Sequence, residues 1–296
     1  MGTFAATGIA VVAAASASGC RRMGDDYEGQ IASAVGEVMA GADESVQGGT
    51  ATAMGAGVPV PTLRTPDELR GPLWRRALGA IVPEAHAASC WPATLSACTG
   101  GVRTRTFESC TIGRSTLEGS VTFTFSRPMV CAAVTAGDTV TRAAAFTLTG
   151  PYGGTLEVTS PGGGQTLTRT AAGFDYSVGG MQRVLTGPGG KKLFDVSTRT
   201  TTPITVTGTS RADLVIASGA LEITHNLAGY KVTLVPRNLA WSASCNCAVS
   251  GSLTGTVSGG SADGKSASVE LTGCGQANVT IDGDTESVTL DRCAAI

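Results

Sequence analysis

From residue 90 onward, apolar and hydroxyl-bearing side chains alternate with a period of two, and that rhythm commits the chain to β-structure. Leu117, Val121, Phe123 and Phe125 are interleaved with Ser120, Thr122, Thr124 and Ser126, so a strand here has one face for a core and one for water. The same period recurs in Ile204 and Val206, in Tyr230, Val232 and Leu234, in Val269 and Leu271, in Val279 and Ile281, and in Val288 and Leu290. Turn signals separate these runs: PYGG at 151, PGGG at 161, GPGGKK at 187, ADGK at 262 and DGD at 282. The pattern predicts a mainly β fold, an antiparallel multi-stranded meander in the form of a sandwich, an open barrel or a curled sheet. No helical pattern of crossover length separates the runs, which excludes parallel βαβ units.

Composition agrees with many short strands and tight turns: 41 glycines, 15% charged residues and 5% aromatic residues in 296. The formal net charge is −2 and the basic residues are scattered along the sequence. Nucleic acid is therefore not an expected partner, because tracking phosphates needs a clustered basic face. The threonines of RTRTF at 103–107 and TRTTT at 198–202 are expected on the solvated face of the sheet.

Nine cysteines with only two histidines point to an oxidising compartment and disulfides rather than to metal ligation. With Cys20 set aside, the rest form two groups of four: Cys90, Cys98, Cys110 and Cys131, then Cys245, Cys247, Cys274 and Cys293. Bridges are expected within each group, with Cys274 and Cys293 as the partners of Cys245 and Cys247. A bridge between Cys245 and Cys247 themselves would be strained.

Residues 4–15, FAATGIAVVAAA, match a signal-peptide core and are too short to span a membrane, which takes about 20 residues. Small residues then lead to Ala17-Ser18-Gly19-Cys20. This resembles the lipobox of bacterial lipoproteins, and the resemblance implies a signal peptide over 1–19 with a lipid carried on the Cys20 thiol. Arg21, not Asp, follows the cysteine, which by the same resemblance implies the outer membrane of a Gram-negative bacterium. Ordinary secretory cleavage at Ala13-Ala14-Ala15 or Ala15-Ser16-Ala17 would instead leave Cys20 as a free or paired thiol. Residues 20–89 are read as an anchor with short helices and a flexible linker, and 90–296 as a disulfide-stapled antiparallel β domain. Ile31, Val35, Val38 and Met39 fall at helical spacing within 31–42. Residues 47–61 have linker composition, and Thr65-Pro66 opens a second helical patch that runs through Trp74-Arg75-Arg76.

Motifs that would carry chemistry are weak. GGSADGKS at 259–266 satisfies the P-loop expression, but an alternating strand follows where the phosphate-binding helix should be. A Ser-Ala-Asp-Gly turn is the better reading, and no nucleotide is expected. Cys245 and Cys247 on one side of a strand could chelate a soft metal, yet neither His86 nor His225 is near in sequence to complete a tetrahedral set. Asp282, Asp284 and Glu286 make an incomplete calcium loop, so a charged Asp-Gly turn is expected. No nucleophile elbow exists in the sequence. No catalytic residue, cofactor or metal is therefore assigned.

The leading expectation is a non-enzymatic outer-membrane lipoprotein whose β domain works through its surface, in adhesion or envelope structure. It is similar in general character to Gly/Thr-rich bacterial surface lipoproteins. A carrier of lipid or another apolar ligand is the second expectation, and an extracytoplasmic hydrolase the third.

Overall fold

The structure, a computed structural model, describes residues 94–112, 114–129, 135–208 and 210–290, together with Ile31, Val35, Cys131 and Cys293. The helical patch from Thr65, His86 and Cys20 lie outside the described residues. Within them the chain forms thirteen strands. They are β1 (Thr94–Leu95), β2 (Val102–Ile112), β3 (Ser115–Phe125), β4 (Thr139–Thr149), β5 (Thr155–Arg169), β6 (Gly173–Thr186) and β7 (Lys192–Thr207). Then follow β8 (Val215–His225), β9 (Tyr230–Trp241), β10 (Ala248–Gly259), β11 (Ser266–Gly273), β12 (Gln276–Ile281) and β13 (Asp284–Thr289). Their order in the sheet is their order in the chain, and each is antiparallel to its neighbours. The result is one open meander, with β1 and β13 at its two edges.

Alternation decides the faces. Leu117, Val121, Phe123 and Phe125 are buried while Glu118 and Thr124 between them are exposed. Every apolar residue named from the period-two runs of the later strands is buried as well. The inner faces of all the longer strands contribute to one contiguous hydrophobic core. Because a sheet has only one such face here, burying it requires the sheet to curl around it. Ile31 and Val35, one helical turn apart, are 0% and 1% exposed and belong to that same core. Val35 lines a cavity of about 10 Å³ with Ile204, Ile216, Leu221, Pro236, Leu239 and Leu253, so this part of the inner face is filled by the chain's own amino-terminal helix.

The curl is built from local irregularities. Between Arg142 and Ala145 on β4 the chain advances three residues, whereas the facing stretch of β5, from Thr159 to Gln165, takes six. Such excess bends and twists the strand that carries it. This stretch contains the PGGG at 161, expected as a turn; it is instead a bulge inside a 15-residue strand. The reason is crowding: a Cβ on Gly162 would sit 2.4 Å from the carbonyl oxygen of Gly179 on β6, so the backbones approach there as only glycine permits. The other four turn signals do fall between strands.

Three disulfides fasten the two ends of the sheet. Cys98–Cys131 ties the β1–β2 connection to the segment after β3. Cys245–Cys274 and Cys247–Cys293 tie the β9–β10 loop to the far edge. Cys110 is also disulfide-bonded, to a cysteine outside the described residues. All three described bridges lie within the groups of four. Cys245 and Cys247 sit in a loop rather than on one strand, which lets their sulfurs reach different partners. Disulfides of this number mark an extracytoplasmic protein. Among the described residues no helix is long and apolar enough to cross a membrane.

Candidate functional site

The arginines of RTRTF are the main departure from the sequence reading. Phe107 is a core residue, so by the period of two Arg103 and Arg105 on the same strand face inward with it, while Thr104 and Thr106 face out. Register confirms this: Arg105 pairs with Val121 and Arg103 with Phe123, both buried. On the next strand Phe123 pairs with Arg142, which in turn pairs with Gln165. Arg105, Arg142 and Gln165 are 8%, 7% and 7% exposed. Basic residues that look scattered along the sequence thus converge on one patch of the inner face.

The patch is walled by aromatic rings. The Arg105 guanidinium lies 5.6 Å from the centre of the Phe107 ring, within cation–π range. Phe107 meets Phe146 edge-on, with centroids 6.4 Å apart. Burial, and then the nearby positive charge of Arg142, pull the Arg105 pKa below its usual value. Arginine remains charged even so.

A second polar arrangement lies on the outer face across β7, β8 and β9. Glu222 takes a 2.6 Å hydrogen bond from Arg199 Nε and a 3.2 Å contact from Lys231 Nζ. Burial alone would raise the Glu222 pKa, but the hydrogen bonds and charges of Arg199 and Lys231 outweigh it and hold the carboxyl below its usual range. Its stabilising effect is therefore present above the unfolded carboxyl pKa and lost as pH falls through the lower folded one. Glu222→Gln is expected to cost about 1 kcal/mol near neutral pH, since both cations are substantially exposed. Urea melts at pH 7 and pH 3 check this, because the two proteins should converge in acid. Beside it, Asp195 accepts from Gln182 and Asn226 at 2.9 and 2.7 Å and from Lys192 at 3.2 Å. Those contacts overcome a burial effect that raises its pKa and leave it lowered.

The sequence candidates resolve into structural roles. In GGSADGKS, Asp263 accepts the Gly259 N–H at 2.6 Å, and Lys265 reaches Asp282 at 3.4 Å before β11 begins. The segment is a hairpin connection. Asp282 and Gly283 close the two-residue turn that pairs Ile281 with Asp284. Cys245 and Cys247 are occupied by their disulfides. His225 is buried at the end of β8, where Nδ1 accepts the Ala228 N–H at 2.9 Å and the ring packs against Tyr230 and Phe194.

The outer face also carries a row that one strand cannot reveal. Thr111, Thr116, Thr149, Thr155 and Thr186 lie side by side across β2 to β6, spaced by about 4.8 Å. No family model, curated protein or solved structure matches the chain.

Proposed function

We propose that the protein is a lipid-anchored, non-enzymatic module of the Gram-negative outer membrane, attached through Cys20 and acting through the outer face of its curled sheet in surface interaction or envelope structure. The cysteine arithmetic carries the anchor. Six cysteines pair with one another, and Cys110, the seventh, is bridged to an eighth. Of Cys20 and Cys90, one is Cys110's partner and the other is left over; Cys90 falls in the same group as Cys110, which favours Cys20 as the thiol available to a lipid.

The inner face beside the amino-terminal helix offers no room for an acyl chain, which favours action through the outside. An acyl carrier needs a pocket of about 300 Å³ or more, whereas the cavity beside Val35 measures about 10 Å³. The outward rows of hydroxyls, neutral and in register, offer a hydrogen-bonding surface instead.

The test is expression of the full chain in a Gram-negative host, followed by fractionation and intact-mass analysis. Acyl mass at Cys20, with Cys20→Ala protein released from the membrane fraction, is the expected result. A Cys20–Cys110 disulfide in the peptide map would remove the anchor. Lipid copurifying non-covalently with Cys20→Ala protein in native mass spectrometry would favour a carrier.

A further inference from the structure

The turn between β8 and β9 is held by an imidazole. His225, the last residue of β8, is 1% exposed, and its Nδ1 accepts the Ala228 N–H at 2.9 Å. A backbone N–H can only donate, so Nδ1 carries no proton while the turn is closed and the ring is neutral. We propose that His225 is an acid-sensitive latch: protonation of Nδ1 releases the Ala228 N–H and opens the β8–β9 turn, while the rest of the sheet stays folded.

The surroundings of the ring oppose its charged form. It packs against Phe194 on β7, with centroids 6.3 Å apart, and against Tyr230 on β9, at 5.3 Å, and an apolar setting of this kind disfavours a charge. On the same inner face Arg183 of β6 pairs with Val196, the β7 residue opposite His225, and adds a like charge two strands away. The carboxylates of this region, Asp195 on β7 and Glu222 on β8, belong to the outer face, where Lys192 and Lys231 contact them. In the open turn the ring is solvated and titrates near the free imidazole value of about 6.5. Opening therefore takes up a proton. It is favoured by up to about tenfold for each pH unit below that value, or about 25-fold between pH 7 and pH 5.

Topology keeps the opening local. Neighbouring strands alternate in direction, so the β8–β9 turn lies at the end of the sheet where the even-numbered strands finish. Cys98, Cys131, Cys245, Cys247 and Cys274 lie in connections at the opposite end, and Cys293 follows β13 there. None of the three described bridges therefore clamps the turn. What else closes it is two backbone hydrogen bonds, from the Asn226 N–H to the Asp195 carbonyl and from the Gly229 N–H to the His225 carbonyl, both 2.9 Å. Opening uncovers the buried Phe194 and Tyr230 beside Leu227, which is already 48% exposed, so the protein presents an apolar surface at this rim in acid alone.

The experiment uses the full chain carrying Cys20→Ala, so its outcome is independent of the anchor. Amide exchange by NMR at pH 7 and pH 5, each referred to the free-peptide rate at the same pH, should show protection at Ala228 and Gly229 falling at least about tenfold in acid while β5 and β6 keep theirs. Asp195 and Glu222 are held below the usual carboxyl range and stay ionised at pH 5, so the change reports the imidazole. His225→Asn puts an amide oxygen near the place of Nδ1 and has no proton to gain, so protection should persist at both pH values. His225→Phe keeps a ring without an acceptor and should leave both amides unprotected throughout. Equal protection at the two pH values in the parent would overturn the proposal, as would a His225→Asn protein that loses protection in acid as the parent does. Should the variants fail to fold, the ring nitrogen shifts of the parent decide: a bare Nδ1 at pH 7 that gains its proton as Ala228 loses protection is expected, and a proton already on Nδ1 at pH 7 would overturn the latch.

Discussion

Reduction is expected to unfold the β domain. The three described bridges close loops with sequence separations of 33, 29 and 46 residues. In the chain-entropy account each such loop stabilises by roughly 4 kcal/mol, so together they contribute about as much as the entire stability of an ordinary domain, roughly 5–15 kcal/mol. Little else compensates, since aromatic residues make up only 5% of the chain and the core is built mainly from valine, leucine and isoleucine. Far-UV circular dichroism melts with and without a phosphine reductant give the readout. At about 2–4 °C per kcal/mol for a domain of this size, reduction should lower Tm by more than about 20 °C or remove the transition. Cys245→Ser/Cys274→Ser, which deletes one bridge cleanly, should lower Tm by roughly 8–16 °C. A reduced protein that melts within a few degrees of the oxidised one would show that the curled sheet stands on its packing alone.

The strands were legible because burial on one face forces a period of two, and that period survives in any antiparallel sheet with one wet side. Leu117 to Phe125 announces β3 in this way. The bridging pattern of Cys245 and Cys247 was legible because cysteines two residues apart in an extended chain cannot comfortably join each other. What the sequence concealed depended on pairing between strands. PGGG at 161 has turn composition, and nothing in one strand distinguishes a turn from a bulge created by the backbone of β6 pressing close. The arginine patch was concealed for a different reason. RTRTF alternates correctly, and extending the rhythm back from Phe107 would have put Arg103 and Arg105 inside, but charge argues for water and the counter-signal of Arg142 lies two strands away. The five-threonine row likewise exists only in the register of β2 to β6.

The bulge on β5 makes the sharpest demand on a single residue. Gly164 has φ +83°, a left-handed conformation, and a Cβ there would lie 2.1 Å from the carbonyl oxygen of Arg142 and 3.0 Å from the Ala143 Cα. Gly164→Val therefore combines a backbone conformation that β-branched residues avoid with a collision against backbone, which no rotamer change relieves. Relief requires β4 and β5 to separate where Arg142 pairs with Gln165, opening the core beside the patch. The expected cost exceeds about 4 kcal/mol, seen as loss of soluble protein or a collapse of the urea midpoint. Gly189→Ala is the matched control, because a Cβ at that turn position meets nothing within 4 Å and its φ is not in the left-handed region. It should leave the midpoint unchanged. If Gly164→Val instead retained a parental midpoint, the β5 bulge would be a passive irregularity, and the curl that brings Arg142 to face the inner core would have to originate in the strands on either side.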